Sequence, residues 1–365
     1  MLMIEPTPYI LGLVRELRLE WNGELDVVFV GRNLSQDWGE SGPAHDVLPP
    51  GLFQAGLEFW RRVASGRYAL VHLAGWGHPL LMLGFLTGWV TGVPVTVESD
   101  TQLRPDRLGW RDLVKAVAYP LLFSIPRMFL PGGTRQAAYL EHFGVLRTRI
   151  RIAQMTVDVD AIVAHRKAMG EAERRRLRER MGLQDGQIAF LYVGRLEPSK
   201  GVRLLLEAFA ALDEAGKDKR ALVIVGAGSM SDEISRASGR LSGVVAPGRL
   251  AGKDLLDAYC SADVFVLPSL ADQWGLVVNE AMAARLPVIV TSAVGCVDDL
   301  VVQGRTGVAV RPGSVDELRD AMSRLESSLQ VREMMGKEAE KYIQPWTLRN
   351  EAARVSGAWM EAIRP

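Results

Sequence analysis

Two carboxylates stand eight positions apart in the second half of the chain, Asp272 in a polar loop and Glu280 within a predicted helix over residues 275–284. With about 3.6 residues per turn, Glu280 falls about one and a half turns into this helix, near the same face as Asp272 at its mouth. Carboxylates in such positions suit the recognition of hydroxyl groups on a ribose or a sugar ring. The spacing also fits a simple loop acid followed by a solvated helix residue.

The start of this helix is itself a predicted anion site. Gly275, Leu276 and Val277 open the helix, and the backbone N–H groups of a first turn have no acceptor within the helix. The helix dipole adds positive potential at the same end. A phosphate group would suit this position.

A second candidate phosphate site is the loop after the predicted strand 188–194. Arg195 and Lys200 lie in this loop, which ends at Gly201 before a predicted helix over residues 202–212. An arginine can bind two phosphate oxygens at once, and a lysine adds a mobile charge. The loop lacks the Gly-Lys-Ser/Thr ending of a P-loop. Its two cations fit solvent-exposed side chains without a ligand equally well.

The elements that would position these residues alternate along the whole chain. Short apolar runs predict strands and longer amphipathic segments predict helices, so the fold class is predicted to be α/β with parallel sheets. The predicted strands are 2–4, 25–30, 68–73, 94–97, 149–153, 188–194, 221–225, 244–248, 264–267, 287–290 and 306–310; the predicted helices are 52–64, 79–91, 202–212, 254–260, 275–284, 316–325 and 346–363, with a turn at 130–133.

Length and composition limit the classes of protein to consider. A chain of 365 residues is long enough for two domains, and the charged run 161–182 followed by a polar hinge at 182–186 predicts domains over 1–165 and 187–345 with a linker at 166–186. Lys plus Arg equals Asp plus Glu, at 43 each, which argues against a nucleic-acid partner. Two cysteines are too few for a disulfide framework, so a cytoplasmic location is expected.

Two other segments allow more than one interpretation. Residues 104–129 mix apolar and aromatic side chains with Arg104, Arg107, Arg111, Lys115 and Arg127, a composition that fits either a helix on a membrane surface or a core-facing helix with a basic side. The Asp158-Val159-Asp160 sequence fits a divalent metal ligand pair or a helix N-cap at Asp160. We favour the N-cap, and we predict no metal site.

Taken in order, several segments of the C-terminal half resemble the retaining glycosyltransferases of family 4. They are YVGRLEPSKGVRLLLEAF (192–209), VIVGAGSMSDEI (223–234), PGRLAGKDLLDAYCSADVFVLPS (247–269), DQWGLVVNEAMAARLPVIV (272–290) and GRTGVAV (304–310). The N-terminal half matches more loosely, at 72–79 and just before the linker. The resemblance implies the GT-B fold, in which two Rossmann-like, doubly wound domains face each other across a cleft. It also implies that the first domain binds the acceptor, with helix 346–365 packing back on it.

The resemblance implies that the donor substrate is a nucleoside-diphosphate sugar and that no separate cofactor is needed. The positions that match the family motifs imply a role for each site residue toward this donor. Arg195 and Lys200 would hold the diphosphate, the turn of Gly275, Leu276 and Val277 would meet a phosphate, and Glu280 would bind the ribose. Backbone at Gly248, Arg249 and Leu250 would receive the base, and position 272 would contact the transferred sugar. Arg195, Lys200 and Asp272 are therefore the predicted catalytic residues of this domain.

The chain departs from the family pattern in two places. Position 272 is an aspartate where the family has a glutamate, which leaves the donor sugar open. After the strand 94–97, where many relatives have a histidine, the sequence has Glu98-Ser99-Asp100; we take Asp100 as the candidate for acceptor positioning or proton handling. His72 and His78 are alternatives, and each also fits an ordinary core or loop histidine.

The reaction implied is transfer of a glycosyl group to an acceptor hydroxyl with retention of anomeric configuration and without a metal, in polysaccharide or glycoconjugate synthesis. The acceptor would be a glycan, a lipid-linked glycan or a small molecule. If residues 104–129 form a helix on a membrane surface rather than a core-facing helix, they would contact the inner face of the cell membrane. A nucleotide-sugar epimerase or phosphorylase of the same fold is one alternative. A catalytically silent partner subunit in glycan assembly is another.

Overall fold

The chain folds into two α/β units, each built around a six-stranded parallel sheet. The computed structural model describes residues 1–32, 45–103, 110–212 and 218–364, without the side chains of residues 110–112. The first unit contains Met1–Thr156 together with Trp346–Pro365, and the second contains Val157–Pro345.

Both sheets have the doubly wound order. The first runs β3-β2-β1-β4-β5-β6 and the second β12-β11-β10-β7-β8-β9, so each begins near its centre, extends to one edge and then resumes on the other side of its first strand. The strands are β1 (Leu2–Met3), β2 (Val28–Phe29), β3 (Asp46–Val47), β4 (Val71–Leu73), β5 (Val95–Ser99), β6 (Met128–Pro131), β7 (Ile188–Val193), β8 (Arg220–Val225), β9 (Val244–Gly248), β10 (Val264–Leu267), β11 (Val288–Thr291) and β12 (Gly307–Val310). The predicted α/β fold class with two doubly wound sheets is confirmed.

Helices cover the faces of each sheet and supply the rest of its core. They are α1 (Pro8–Glu20), α2 (Leu52–Ala64), α3 (Pro79–Thr91), α4 (Trp110–Leu122), α5 (Thr134–His142), α6 (Val159–Ala168), α7 (Glu171–Arg180), α8 (Val202–Ala210), α9 (Ser231–Ser238), α10 (Gly252–Ser261), α11 (Leu276–Ala283), α12 (Val297–Leu300), α13 (Val315–Ser327), α14 (Leu329–Ile343) and α15 (Leu348–Ile363). In the first unit α15 packs beside α1, where Trp359 and Leu17 are buried in one apolar cluster.

The division of the chain differs from the predicted one. The predicted linker 166–186 lies within the second unit, and the boundary falls at Thr156 and Val157. Two of its arginines contact a residue next to the sheet: Arg174 and Arg178 lie 2.8 and 3.0 Å from the carboxylate of Asp263, which precedes β10. Arg178 also donates to the Ser261 carbonyl at 2.7 Å. A charged run is usually solvated, but these side chains satisfy groups at the start of β10.

Three local predictions are corrected by the structure. The predicted turn 130–133 begins as β6, which pairs with β5 as far as Pro131. The predicted strand 149–153 is instead a 3-10 turn, Arg147–Arg149, followed by a single bridge from Ile150 to Phe129. The N-cap of α6 is Asp158, whose side chain accepts from the Ala161 N–H at 3.0 Å, and Asp160 lies in the first turn.

The segment proposed for membrane contact is described only in part. Arg104 and Arg107 lie outside the described residues, as does the side chain of Arg111. From Leu113 onward α4 leaves Leu113, Val117 and Leu121 largely exposed. No helix among the described residues has both the length and the apolarity needed to cross a membrane.

Candidate active site

The strand order of the second sheet reverses between β7 and β10, and the predicted donor residues lie at this switch point. The chain leaves β7 toward β8 and β9 and later places β10 on the other side of β7. All of these strands are parallel, so the loops after β7 and β10 emerge side by side at one edge. Ligands of doubly wound sheets bind in the crevice formed there.

Lys200 and Asp272 meet at this reversal. The Lys200 Nζ atom lies 2.6 Å from Asp272 Oδ2, and both side chains are 14% exposed. Lys200 belongs to the loop after β7 and Asp272 to the loop after β10, 72 positions apart. A mostly buried lysine beside a helix start provides positive charge for an anion, and its carboxylate partner fixes the direction of the lysine side chain.

Backbone contacts hold the two loops together. The Leu270 N–H donates to the Ser199 carbonyl at 2.8 Å. Gly201 has a left-handed φ of +68°, and a Cβ atom there would stand 2.1 Å from the Pro268 carbonyl oxygen. Only glycine can adopt this conformation at this distance without displacing the backbone.

The Asp272 loop is also fastened on its other side. The Asp272 carbonyl accepts from the Gly295 N–H at 3.1 Å, and the Trp274 carbonyl accepts from the Cys296 N–H at 3.0 Å. The buried Trp274 indole N–H donates to Asn279 Oδ1 at 3.1 Å, within α11. The loop is thus joined to the segment after β11 and to the helix that follows it.

α11 begins directly after this loop without a side-chain cap. Its N-cap, Gly275, has a left-handed φ of +93° and makes no side-chain hydrogen bond to the first turn. The first-turn N–H groups of Leu276 and Val277 therefore receive no acceptor from the capping residue. They lie four and five positions after Asp272, at the positive end of the helix dipole.

Glu280 lies on the second turn of α11 and has a tyrosine as its partner. The Tyr259 hydroxyl, on α10, donates to Glu280 Oε2 at 2.5 Å. Burial raises the pKa of Glu280 to about 7, although the hydrogen bond from Tyr259 opposes this shift. Burial and the neighbouring carboxylate also raise the pKa of Tyr259 well above its ordinary value, so Tyr259 remains a hydrogen-bond donor. Tyr259 could not be identified from sequence, because it is 21 positions from Glu280.

The remaining predicted donor residues lie at the ends of β7 and β9. Arg195 is exposed, and its carbonyl accepts from the Tyr192 hydroxyl at 2.7 Å. Gly248 ends β9 with φ +82°, and its carbonyl accepts from the Gly226 N–H at 2.9 Å. The exposed Arg249 and the half-buried Leu250 follow it. These segments share one edge of the second sheet.

The candidate acceptor residue belongs to the first unit. Asp100 follows β5 and its side chain is exposed. His78 caps α3, where its Nδ1 atom accepts from the Leu80 N–H at 3.2 Å. This histidine has a structural role at a helix start.

His72 is a core histidine of the same unit. It is 1% exposed, its Nε2 atom lies 3.0 Å from Glu98 Oε1, and the Trp359 indole N–H donates to its Nδ1 atom at 3.1 Å. Because an indole N–H can only donate, Nδ1 must carry the lone pair and Nε2 the proton. The ring therefore links α15 to the Glu98 carboxylate.

Comparison with known proteins identifies the family. The family described as glycosyl transferases group 1 matches residues 173–342. The 2-deoxystreptamine glucosyltransferase of Streptomyces kanamyceticus is 30% identical over 267 residues, covering 70% of this chain and 67% of that protein. The chain belongs to the glycosyl transferases group 1 family. The alpha-D-kanosaminyltransferase of the same organism is 35% identical over 172 residues, covering 46% of this chain and 44% of that protein. The alignment thus spans less than half the length of this second relative.

A solved structure agrees with the fold of this group 1 family member. Anabaena Alr3699/HepE in complex with UDP superimposes with a TM-score of 0.79 at 17% identity, over 99% of each chain. At this level of identity the likeness concerns the fold, which is the GT-B type that the sequence predicted. The family match covers most of the second unit, including Lys200, Asp272 and Glu280.

Proposed function

We propose that this chain is a retaining glycosyltransferase that moves a sugar from a nucleoside-diphosphate sugar to an acceptor hydroxyl. The observation that carries the proposal is the ion pair of Lys200 and Asp272, 2.6 Å apart, at the point where the strand order of the second sheet reverses. The uncapped start of α11 and the half-buried Glu280 lie on the helix that begins there. Positive groups for a diphosphate and carboxylates for hydroxyl groups thus occur at one edge of one sheet.

The donor residues divide by chemistry. Arg195, Lys200 and the first-turn amides of α11 would bind the diphosphate, because they supply positive charge and N–H donors. Glu280 would accept from the ribose hydroxyls, and backbone at residues 248–250 would receive the base. Asp272 would contact the transferred sugar. The structures of the Anabaena protein with UDP and with UDP-glucose support a donor of this class.

The same groups explain how transfer would be accelerated. As the bond between the sugar and the diphosphate breaks, negative charge grows on the leaving phosphate. Lys200, Arg195 and the α11 dipole would stabilise this charge more strongly in the transition state than in the bound donor. The leaving phosphate would take the proton of the acceptor hydroxyl. Because the two cations and the helix dipole balance its negative charge, the proposal requires no metal. Asp100 would position the acceptor.

Two acceptor classes remain in the proposal, each with its own support. The exposed apolar side of α4 supports a glycan or lipid-linked acceptor at the inner face of the cell membrane, in polysaccharide or glycoconjugate synthesis. The names of the relatives, among them a 2-deoxystreptamine glucosyltransferase and a D-inositol 3-phosphate glycosyltransferase, support a small polyhydroxylated acceptor. An acceptor panel containing both classes separates them.

Calorimetric titration with UDP-glucose, GDP-glucose and ADP-glucose tests the donor, and NMR of the product tests the anomeric outcome. We expect one nucleotide to bind and the product to keep the donor's configuration. Conversion of the donor without an acceptor would indicate an epimerase. Failure of every nucleotide sugar to bind would favour a silent partner subunit. Glu280→Ala should abolish binding, and Lys337→Ala, on the exposed side of α14, should not.

A further inference from the structure

Tyr259 places a hydroxyl group in the interior of the second unit, where it contacts the proposed ribose ligand. The tyrosine is fully buried on α10, and its ring lies 6.0 Å from that of Phe265. The hydroxyl donates to Glu280 Oε2 at 2.5 Å. A phenylalanine would fill the same space without the cost of burying a polar group. The hydroxyl therefore has a task beyond packing.

Among the described residues, no cation contributes to the pKa shift of Glu280. The influences on its pKa are burial, which raises the pKa to about 7, and the Tyr259 hydroxyl, which lowers it. Near neutral pH the carboxyl group is thus divided between its protonated and ionised forms. The hydrogen bond from Tyr259 favours the ionised form, because a carboxylate accepts more strongly than a carboxylic acid.

Several ionisable groups on and beside the helices that pack on α11 pair with one another. Arg166 on α6 pairs with Glu340 on α14 at 2.5 Å, and His165 on α6 contacts Asp257 at 2.8 Å. Arg285, which follows α11, lies 4.0 Å from Glu340. Strands β10 and β11 contain no ionisable residue. Among the described residues, Tyr259 is the group whose hydrogen bond controls the Glu280 carboxylate.

The geometry points to Tyr259 as a positioning residue that holds the Glu280 carboxylate for the ribose of the donor and sets the pH range in which the nucleotide sugar binds. This inference rests on the proposed function. With Oε2 engaged by Tyr259, Oε1 is directed to accept from the ribose. Ribose hydroxyls donate hydrogen bonds to a carboxylate. When the nucleotide sugar binds to protein whose Glu280 is protonated, Glu280 must therefore release its proton to solvent.

The test uses the tightest-binding of UDP-glucose, GDP-glucose and ADP-glucose, whose esterified diphosphates do not titrate near neutral pH. Affinity is measured by calorimetry between about pH 5.5 and about pH 8.5, and proton release is measured from the binding enthalpy in buffers of different ionisation enthalpy. For the wild-type protein we expect proton release near pH 7 and an affinity that falls by about tenfold per pH unit at lower pH.

Tyr259→Phe should shift this pH profile upward. We expect binding at about pH 6 to weaken by roughly a further tenfold, with recovery toward the wild-type affinity at about pH 8.5. A merely structural role would lower the affinity by the same factor at every pH. Glu280→Gln, which cannot ionise, should bind weakly with no pH dependence and no proton release.

Each contrary result has a distinct meaning. A wild-type affinity that is constant over this pH range, without proton release, overturns the inference even if Tyr259→Phe does not fold. A Tyr259→Phe profile with the wild-type midpoint also overturns it. If none of the three nucleotide sugars binds at any pH, the proposed function fails, and the inference fails with it.

Discussion

Lys200 Nζ and Asp272 Oδ2 lie 2.6 Å apart and join the loop after β7 to the loop after β10. In the proposed reaction one of these residues serves the diphosphate and the other the sugar. Their ion pair therefore links the groups that meet the two sides of the bond to be broken. Binding of the nucleotide sugar would bring its diphosphate next to Lys200, while Asp272 continues to orient the lysine side chain.

Replacement of Lys200 by alanine tests this relationship. We expect donor turnover to fall by about 10²–10³-fold, because the leaving phosphate loses one of the two side-chain cations proposed to stabilise it. The fold should persist, with a loss of about 1–3 kcal/mol in the free energy of unfolding, since Asp272 is left without its cation in a mostly buried position. Steady-state kinetics and urea unfolding measure the two effects. Lys337→Ala is the control, and turnover that matches the wild type in Lys200→Ala would disprove the site.

Gly201→Ala tests whether the backbone at the end of this loop positions Lys200. The added Cβ atom would meet the Pro268 carbonyl oxygen at 2.1 Å, and φ is +68°. We expect a loss of about 3 kcal/mol or more in the free energy of unfolding, together with weaker donor binding, because the loop must move away from Pro268.

Gly304→Ala is the matched control for this variant. Gly304 has a similar φ of +73°, but no atom lies within 4 Å of the position that its Cβ would take. Only the conformational cost remains, about 1 kcal/mol, and donor binding should not change. Equal effects of the two variants on binding, measured by calorimetry, would contradict the role given to the Gly201 contact.

The first unit contains a buried acid that should make its stability depend on pH. Burial, followed by the nearby Glu98, raises the pKa of Glu351 well above its ordinary value, while the Thr156 N–H donates to its carboxyl group and opposes this shift. The folded state thus keeps a proton that the unfolded chain loses near pH 4.5. The contribution of Glu351 to the free energy of unfolding is therefore fully present below that pH. It declines by up to about 1.4 kcal/mol per pH unit as the pH rises, until Glu351 ionises in the folded state.

Glu351→Gln removes this proton. We expect its free energy of unfolding to vary less between about pH 5.5 and about pH 8.5 than that of the wild type, and to exceed it at the upper pH. Tryptophan fluorescence reports unfolding in urea, and Trp359 on the same helix is among the buried tryptophans. Glu361→Gln, on the exposed side of α15, should keep the wild-type slope. A wild-type slope in Glu351→Gln would show that Glu351 is not the group responsible.

Local patterns in the sequence predicted much of the fold. The bounds of α2 and α3 agree with the predicted ranges. α2 follows Gly51 and ends before Ser65, and α3 begins at Pro79 and ends before the left-handed Gly92. The turn predicted at 130–133 was wrong for a physical reason: Pro131 ends β6, an edge strand, where a missing N–H is tolerated.

Contacts between distant residues could not be predicted in the same way. The family motif indicated Lys200, Asp272 and Glu280, but the sequence contains no signal that Tyr259 meets Glu280. Nor does it indicate that Trp359 donates to His72, 287 positions away. Such pairs are determined by how α10 and α15 pack on their sheets, and no periodicity or spacing in the chain records that packing.

The exposed side of α4 leads to a prediction about membranes. Val117 and Leu121 are 73% and 72% exposed and stand four positions apart on one helix face. Apolar side chains on such a face can enter the interface of a bilayer, while nearby cations attract anionic head groups. We expect the wild-type protein to co-sediment with phosphatidylglycerol vesicles and much less with phosphatidylcholine vesicles.

Replacing both residues by aspartate should weaken this association by about tenfold or more, because two carboxylates would have to enter a negatively charged interface. The unfolding midpoint should remain unchanged, since neither side chain is in the core. Leu329→Asp, at the start of α14 and 63% exposed, is the control for a new surface charge in the second unit and should bind vesicles as the wild type does. If the double variant co-sediments as strongly as the wild type, α4 is not the contact, and the small-molecule class of acceptor gains support.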